Sequence, residues 1–297
     1  GLERWRARGR IVAEAGALGR GPDLLIVGGL HGNEPEGLAA GHEVIEEIVR
    51  SGLPLPGRVA LVAGNLGALR EKRRFLDRDL NRGWHADAIA RVRARSVWEL
   101  SREDREQMEL IECFQDFLAS STQGVVLIDL HTTSADAPPF SVVVKSEANV
   151  KLARVIGLPV ILGFDDYVDA PILTWFEANG CTAIGVEGGG IGDGESAAHL
   201  ASALRRALPT LGWPSLGASA SELPLGDVYR IIHRHSVVPG SAFKMKPGFR
   251  SFQPVEEGAL LAHDRGGPIR AMASAQLFMP LYQEQGSDGF FLLRPAS

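Results

Sequence analysis

The sequence predicts a mixed, mainly parallel α/β sheet with helices on both faces, followed by a small all-β domain. Short apolar, β-branched runs that are typical of buried parallel strands alternate with amphipathic stretches as far as about residue 208. Near residues 213–214 proline, glycine and serine become dense, and short alternating runs separated by turn pairs follow. We therefore predict two domains, residues 1–214 and residues 215–297.

Apolar spacing and helix-end signals predict the individual elements. Strands are predicted at residues 4–13, 24–27, 59–65, 125–131, 140–145, 158–163 and 181–187. Helices are predicted at residues 35–49, 86–95, 101–119, 147–156, 170–179 and 194–208, with Gly52 ending the first and Ser101 as the N-cap of the third. In the β domain, strands are predicted at residues 229–232, 249–252 and 259–262, and a turn at Asp288-Gly289.

The composition is that of an ordinary globular protein and excludes several classes. The 297 residues are 45% apolar and 23% charged, and a net charge of -5 argues against a general nucleic-acid or anionic-membrane binder. Two cysteines are too few for a disulfide framework, which indicates a reducing compartment. No signal peptide opens the sequence, and no apolar run approaches the ~18 residues of a membrane span. We expect a cytoplasmic protein, with self-association into a homo-oligomer left open.

A histidine and a glutamate follow the strand predicted at residues 24–27. His31 and Glu34 lie in the sequence GGLHGNEPEG, and Pro35 suits the first position of a helix. Both residues are therefore placed where a strand ends and a helix begins, the edge at which open α/β sheets bind ligands. An imidazole and a carboxylate at this spacing can reach one cation, and Zn²⁺ accepts both ligand types. Alone, the pattern is weak, because such pairs arise by chance in many proteins.

Two further predicted strands end in residues of the same chemistry. The strand at residues 125–131 ends in His131, and another apolar run ends in Glu187 followed by three glycines. Three predicted strands thus end in metal-binding residue types. This recurrence argues against a chance arrangement of His31, Glu34, His131 and Glu187.

A catalytic zinc has three protein ligands and an open fourth position. His31, Glu34 and His131 are therefore predicted to bind one zinc ion per chain, which leaves Glu187 as a general base. Asp129 points to the same strand face as His131 and is a candidate to orient its imidazole, with a solvated strand end as the alternative.

Several motifs resemble those of the succinylglutamate desuccinylase/aspartoacylase family, relatives of the zinc carboxypeptidases. They are GGLHGNE at residues 28–34, DLNR at 79–82, DLH at 129–131 and VEGG at 186–189, followed by MPLYQ at 279–283 and GSDGFF at 286–291. The resemblance implies a zinc-carboxypeptidase-like fold and zinc-dependent hydrolysis of the amide bond in a small N-acylated amino acid. The expected partner is thus a small molecule, whose acyl and amino parts the motifs do not specify.

The resemblance also implies roles within the charged stretch at residues 70–82. Arg74 matches an arginine that helps polarise the scissile carbonyl, and Asn81 and Arg82 match a pair that binds a substrate carboxylate. The chemistry agrees, because a guanidinium can hold a carboxylate by two parallel bonds and an adjacent amide adds a donor. Asp79 is a candidate to hold one of these arginines in place.

The C-terminal β domain is expected to wall the active site. Tyr282 is a candidate for the pocket in that role, with a hydrogen-bonded structural tyrosine as the alternative.

Substrate and function class stay open in the sequence. Aspartoacylases that this chain resembles carry an arginine shortly before the catalytic glutamate, but residues 172–182 contain no basic residue, which counts against N-acyl-aspartate. Asp165, Asp166 and Asp169 raise N-acetyl-diaminobutyrate, with its cationic side chain, as a candidate, and a solvated loop as the alternative. The other function classes are a metallocarboxypeptidase acting on short peptides and a non-catalytic zinc-binding or ligand-binding protein.

Overall fold

The computed structural model describes residues 2–135, 137–144, 146–216 and 224–296. Within them the helices are α1 (Glu3–Ala7), α2 (Glu36–Ser51), α3 (Leu66–Glu71), α4 (Ala86–Arg93), α5 (Arg102–Ala119), α6 (Glu147–Val155), α7 (Phe164–Tyr167), α8 (Ile172–Ala178) and α9 (Ser196–Thr210), with a 3₁₀ turn at Val97–Glu99. None of these helices is long and apolar enough to cross a bilayer.

The strands form a large sheet and a small one. They are β1 (Ile11–Ala15), β2 (Asp23–Gly28), β3 (Val59–Ala63), β4 (Val125–Thr133), β5 (Phe140–Val143), β6 (Val160–Leu162), β7 (Thr182–Gly190), β8 (Val228–Ser236), β9 (Lys244–Met245), β10 (Gln253–Val255), β11 (Leu260–Asp264), β12 (Gly267–Arg270), β13 (Ala275–Phe278) and β14 (Asp288–Pro295). The large sheet has the order β1-β3-β2-β4-β7-β5-β6-β8-β14-β13-β10, and the small one β12-β11-β9.

The centre of the large sheet is parallel, as the apolar runs predict. Strands β3, β2, β4 and β7 run in one direction, β1 joins antiparallel at the edge, and β5 joins antiparallel to β7. Beyond β8 the neighbouring strands pair antiparallel. The predicted fold class is confirmed: a mixed α/β protein with helices and a C-terminal all-β region.

Both faces of the sheet are covered, which explains why the central strands are continuously apolar. All of β2 is buried. Leu25 and Val27 pack into the core that includes α5 and α8, and Leu24 and Ile26 pack into the opposite core with α2 and α9. Side chains alternate between the faces of a strand, so a strand between two helical layers needs apolar residues at every position.

The helix-end signals are confirmed at two places. Gly52 follows α2 with a φ of 62°, the left-handed conformation that glycine adopts without a Cβ penalty. Ser101 caps α5: its hydroxyl accepts from Asp104 N at 3.0 Å, and the Asp104 carboxylate accepts from Ser101 N at 3.0 Å.

The strand predicted at residues 4–13 is wrong over its first half. That half forms α1, in which Trp5 is buried and donates a hydrogen bond from Nε1 to Asp116 at 2.9 Å. Gly9, with a φ of 71°, separates the helix from β1, which begins only at Ile11. The apolar residues of α1 and β1 together resemble the alternating pattern of a single strand, which explains the wrong prediction.

The strand predicted at residues 249–252 is also wrong. Phe252 has a φ of 66°, a left-handed conformation that cannot continue a strand, and β10 begins one residue later. The ring of Phe252 instead packs on Phe140 and Tyr229, with centroid distances of 5.8 Å to each. Asp288-Gly289 is likewise not a turn, because it begins β14.

The C-terminal strands are hydrogen-bonded to the central sheet. Strand β8 pairs parallel with β6, and β14, β13 and β10 extend the sheet from there. A separate small core, which includes Met245, Leu261 and Phe290, lies within the C-terminal region. The division into two domains near residue 214 stays a prediction. Backbone hydrogen bonds between β6 and β8 join strands that lie on either side of it in sequence.

Candidate metal and catalytic site

Three adjacent parallel strands bring the predicted site residues to one edge of the sheet. His31 and Glu34 lie in the loop between β2 and α2, His131 lies on β4, and Glu187 lies on β7. Strands β2, β4 and β7 are successive neighbours, so their carboxyl ends meet. His131 and Glu187 are paired in register across β4 and β7, which places their side chains on the same face.

Glycines let the His31 loop pack closely on its neighbours. A Cβ on Gly32 would lie 2.0 Å from the backbone carbon of Ala68, so this loop contacts the backbone of α3 directly. Gly29 has a φ of 69°, a conformation that side chains rarely tolerate. The glycine-rich sequence thus serves to fold the loop sharply enough for His31 to approach His131.

The two histidines and Glu34 converge on one point. His31 Nδ1 lies 2.9 Å from Glu34 Oε1, and His131 Nδ1 lies 3.0 Å from Glu34 Oε2. One ligand atom from each of the three residues lies within 4.8 Å of the others, and all three residues are buried. Two nitrogens and an oxygen form a donor set that suits zinc. The structure thus brings together all three predicted ligands.

Carboxylates hold the opposite nitrogens of both imidazoles. His31 Nε2 lies 3.2 Å from Asp79 Oδ1, and His131 Nε2 lies 2.8 Å from Asp129 Oδ2. A proton on each Nε2, donated to its carboxylate, would leave each Nδ1 lone pair free for a cation at the shared point. Asp129 lies where the sequence predicted it, whereas the contact of Asp79 with His31 was not predicted. The arrangement of these four residues fits a bound cation.

The electrostatics of the cluster point the same way. Burial acts to raise the pKa of Glu34, but the two histidines outweigh it and hold this pKa below its usual range. Burial acts to lower the pKa of His131, but Asp129 and Glu34 raise it well above its ordinary value. Glu34, Asp79 and Asp129 concentrate negative charge around the two imidazoles, which favours a positive charge at this point, and a divalent cation would supply it.

Glu187 has the environment of a proton acceptor. Its Oε2 atom is buried and has no hydrogen-bond partner within the described part of the chain. Burial raises the pKa of Glu187 to about 7, with a further contribution from the negative charge of Glu34. A carboxylate with a free oxygen and a near-neutral pKa is suited to accept and return a proton.

Arg74 points to the same cluster from the charged loop. Its guanidinium donates to Glu34 Oε1 at 3.3 Å and to Asp79 Oδ2 at 3.0 Å. Asp79 also accepts from the backbone N–H of Asn81 at 2.9 Å, and Arg82 and Arg74 help to hold its pKa well below the usual value despite burial. The structure thus places Asp79 against Arg74, one of the predicted arginines, and against His31.

Asn81 and Arg82 are tied by contacts from distant parts of the chain. Asn81 Oδ1 accepts from the backbone N–H of Ile172 at 2.8 Å. Arg82 donates to Asp288 Oδ2 at 2.7 Å, and Arg234 donates to the other oxygen of Asp288 at 2.6 Å. The predicted carboxylate-binding arginine thus already has a carboxylate partner on β14, which sequence reasoning missed.

Glu103 was missed as well, although it shapes the loop that carries the predicted arginines. This buried carboxylate accepts from the backbone N–H groups of Leu76, Asp77 and Arg78 at 2.7, 2.9 and 3.2 Å, and from Asn65 Nδ2 at 3.1 Å. A glutamate in the first turn of a helix is common, so nothing in the sequence distinguished it.

The site opens into a cleft that the C-terminal region helps to enclose. The cleft holds about 880 Å³ of space, including its open mouth. Its C-terminal lining residues are Met279, Leu281, Gln283, Gly286, Asp288 and Phe291.

Four candidates from the sequence lie outside the cleft lining. The hydroxyl of Tyr282 donates to Lys246 O at 2.9 Å and accepts from Phe249 N at 3.0 Å, which corresponds to the structural alternative. Asp165, Asp166 and Asp169 are exposed and do not line the cleft, which corresponds to the solvated alternative, although Asp165 and Asp166 lie on α7 and not in a loop.

Comparison with known proteins agrees with this geometry. Residues 20–207 match the Succinylglutamate desuccinylase/Aspartoacylase catalytic domain. A succinylglutamate desuccinylase of Burkholderia pseudomallei (strain 1710b) is 37% identical over 91 residues, 29% of this chain and 26% of that protein. A probable aspartoacylase of Prochlorococcus marinus (strain MIT 9313) is 34% identical over 165 residues, 52% of this chain and 51% of that protein.

A solved structure extends the comparison beyond the matched segments. The succinylglutamate desuccinylase from Vibrio cholerae has the same fold, with a TM-score of 0.72 at 17% identity over 95% of this chain and 84% of that chain. In sequence, by contrast, the matches span about a quarter to half the length of the two curated relatives. Since the family domain covers more than half of the chain, this protein belongs to the succinylglutamate desuccinylase/aspartoacylase family.

Proposed function

We propose that this chain is a zinc-dependent deacylase that hydrolyses the amide bond of a small N-acylated amino acid. The observation that carries the proposal is the unpartnered, buried oxygen of Glu187 beside the His31, Glu34 and His131 cluster. A cation site alone would not require a second carboxylate with a near-neutral pKa on the neighbouring strand. Family membership and the names of the relatives support the same class of reaction.

The residues for the metal are His31, Glu34 and His131. A zinc ion bound there supplies Lewis acidity toward a carbonyl oxygen and lowers the pKa of water at its open position. Asp79 and Asp129 keep the two imidazoles in the required orientation.

Glu187 transfers protons during the reaction, and Arg74 stabilises the negative charge that develops. Glu187 takes the proton of the attacking water and passes it to the leaving amine, for which its buried and unpartnered Oε2 atom is suited. Arg74 places a fixed positive charge where the tetrahedral oxyanion develops. Glu34 and Asp79 hold the guanidinium of Arg74, so little reorganisation is needed when that charge appears.

Asn81 and Arg82 bind the carboxylate of the amino-acid part. Both residues line the cleft beside His131. Binding the carboxylate there aims the amide carbonyl at the cluster and reduces the entropic cost of reaching the reactive geometry.

Enclosure of the cleft favours this substrate class over peptides. A metallocarboxypeptidase needs a mouth that is open to an extended chain, whereas Met279, Leu281 and Asp288 from the C-terminal region line this cleft. A non-catalytic zinc protein would leave the buried, unpartnered Oε2 atom of Glu187 unexplained.

The test is a screen of N-acylated amino acids in which acyl and amino parts vary separately, with released amine as the readout. We expect hydrolysis of at least one small member by the zinc-loaded protein, and a rate ~10²–10⁴-fold lower for Glu187→Gln prepared in the same way. Cleavage of peptides but of no N-acylated amino acid would support the carboxypeptidase alternative. Equal rates in wild type and Glu187→Gln would overturn the proposed mechanism.

A further inference from the structure

Beside Glu187 the cleft is lined by apolar residues. Gly185 lies two residues before Glu187 on β7 and therefore on the same face. A Cβ on Gly185 would lie 3.6 Å from Leu173 Cδ1 and 3.6 Å from Val142 Cβ, so these side chains flank the space that the glycine leaves.

Aromatic side chains continue this surface. Phe164 and Phe291 line the same cleft with ring centroids 5.3 Å apart, and Met279 lies with them in the lining. We name this surface the Gly185 pocket, formed by Gly185, Val142, Leu173, Phe164, Phe291 and Met279.

Among the described residues that line the cleft, no arginine or lysine is left for a second carboxylate. Among the described lining residues, the arginines are Arg74 and Arg82, and no lysine is present. Arg74 is bonded to Glu34 and Asp79, and Arg82 is the residue proposed to bind the first carboxylate. A succinyl or aspartyl group would need a further positive partner, because an unpaired carboxylate on an apolar surface loses its hydration without compensation.

Asp129 strengthens this argument. It is the register partner of Gly185 on the neighbouring strand, and its Oδ1 atom is buried without a hydrogen-bond partner among the described residues. Its negative charge opposes a second carboxylate in the Gly185 pocket. An alkyl group there instead gains free energy by leaving water.

We infer that the Gly185 pocket binds an uncharged apolar group of the substrate, where succinyl or aspartyl substrates carry a second carboxylate. The inference rests on the proposed deacylase function and narrows its substrate class to N-acylated amino acids with an alkyl group on the acyl chain or on the side chain.

Shape-matched substrate pairs test the inference. In the acyl arm, N-(4-methylpentanoyl)-alanine is compared with N-succinyl-alanine. In the side-chain arm, N-acetyl-leucine is compared with N-acetyl-aspartate. In each pair an isopropyl group replaces a carboxylate of similar size, so the pair differs mainly in charge. We expect the neutral member to have a kcat/KM at least about tenfold higher in one arm, which also identifies the part that occupies the pocket.

Two outcomes would overturn the inference while leaving the deacylase function intact. One is equal or better hydrolysis of the charged member in both arms. The other is a preference for N-acetyl-diaminobutyrate over N-acetyl-leucine, which would assign a cationic group to this part of the cleft.

A measurement of substrate affinity tests the pocket independently of turnover. Dissociation constants of the same pairs are measured calorimetrically with Glu187→Gln, and tighter binding of the neutral member is expected. Hydrolysis of none of these substrates would contradict the proposed function, whereas a stronger affinity for the charged members would contradict the pocket.

Matched variants locate the effect. Val142→Ala enlarges the pocket, whereas Val143→Ala removes the same atoms from the opposite face of β5, in the core with α2 and α9. Both variants lose stability, but only Val142→Ala should change the kcat/KM ratio to N-acetyl-alanine of the substrate that fills the pocket, N-acetyl-leucine in the side-chain arm or N-(4-methylpentanoyl)-alanine in the acyl arm. Equal ratios in the two variants would remove Val142 from the pocket.

Gly185→Ala provides the converse test. The added Cβ makes ordinary van der Waals contacts, so folding is preserved while the pocket becomes smaller. We expect the kcat/KM ratio of N-acetyl-leucine to N-acetyl-alanine, or of N-(4-methylpentanoyl)-alanine to N-acetyl-alanine, to fall by about tenfold. A uniform decrease for large and small substrates would contradict the assignment of Gly185.

Discussion

His131 and Glu187 are register partners on the neighbouring parallel strands β4 and β7, so their side chains leave the sheet on the same face. His131 turns its Nδ1 toward Glu34, whereas the Oε2 atom of Glu187 has no partner among the described residues. A shift of one residue in this pairing would move Glu187 to the opposite face of the sheet. The register therefore places a cation ligand and a proton acceptor side by side.

The first prediction concerns metal content. Protein purified without chelator should contain about one zinc ion per chain, and His31→Ala and His131→Ala should contain almost none, because each removes a ligand atom of the cluster. His42→Ala is the matched control, because His42 lies exposed on α2. Elemental analysis measures the ratio. Full metal content in His31→Ala would exclude this residue as a ligand.

The second prediction separates catalysis from metal binding. Glu187→Gln should keep its metal and lose turnover by ~10²–10⁴-fold, the contribution of a positioned acid or base. The exposed Glu195 offers a control, and Glu195→Gln should behave as wild type. Kinetics and elemental analysis are run on the same preparations. Loss of metal from Glu187→Gln would make Glu187 a ligand instead of the base.

The third prediction concerns pH and the stability of the metal-free protein. The pKa of Glu187 is raised from 4.5 to about 7, so the folded state keeps this proton at pH values where the unfolded state has lost it. A raised acid pKa therefore lowers the unfolding free energy as pH rises from about 4.5 to about 7, by up to ~3 kcal/mol.

Glu187→Gln lacks this titration. The variant's stability advantage over wild type should be absent near pH 4.5, grow until about pH 7 and then stay constant. Urea unfolding of chelator-treated proteins across this range measures it. An advantage that does not change with pH would contradict the raised pKa.

The fourth prediction concerns Arg82. Arg82→Lys keeps the charge but loses the planar fork, which should cost ~1.5–3 kcal/mol, or roughly ten- to a hundredfold in kcat/KM. The control substrate is the matching amide with its carboxylate masked. Wild type should discriminate strongly against the masked substrate, and Arg82→Lys should discriminate little. If both proteins discriminate equally, Arg82 does not bind the carboxylate.

Asp288 adds a double-mutant test to this prediction. Because Asp288 holds the guanidinium of Arg82 at 2.7 Å, Asp288→Asn should raise KM for the carboxylate substrate more than it lowers kcat. The effects of Asp288→Asn and Arg82→Lys should then be non-additive, as for two residues in direct contact. Additive effects would show that Asp288 acts independently of Arg82.

The fifth prediction concerns Glu103. Glu103→Ala leaves the N–H groups of Leu76, Asp77 and Arg78 without their acceptor, which should cost at least ~2 kcal/mol in unfolding free energy. Since this loop carries Arg74 and Arg82, kcat/KM should also fall while metal content stays unchanged. Glu112→Ala, at a half-exposed position on α5, should change stability by less than ~0.5 kcal/mol. Unchanged kinetics in Glu103→Ala would limit Glu103 to a role in stability.

The fold class and the cation-site geometry followed from the sequence because their signals are local. An apolar run of β-branched residues is a property of a few consecutive positions, and parallel strands necessarily bring their carboxyl ends to one edge. His31 and Glu34 are three residues apart, and His131 and Glu187 each end such a run. Pattern and spacing were therefore sufficient to place these four residues together.

Local patterns failed where adjacent elements differ in period or where a tertiary contact overrides them. Trp5 and Ile11 were assigned to one strand because a short helix before a strand mimics an alternation of apolar residues. The left-handed backbone of Phe252 accompanies ring packing on Phe140, a residue more than a hundred positions away. No short window of sequence contains that contact.

Only the tertiary structure decided how the rest of the site is built. Asp288 lies 206 residues after Arg82, and its carboxylate is recognisable as a partner only when β14 lies in the sheet. The Gly185 pocket likewise joins β5, β7, β14 and two helical segments, none of which shows a pocket by itself. Local sequence determines which helix or strand each segment can form. Charge pairs and apolar surfaces that are built from distant segments depend on the folded arrangement.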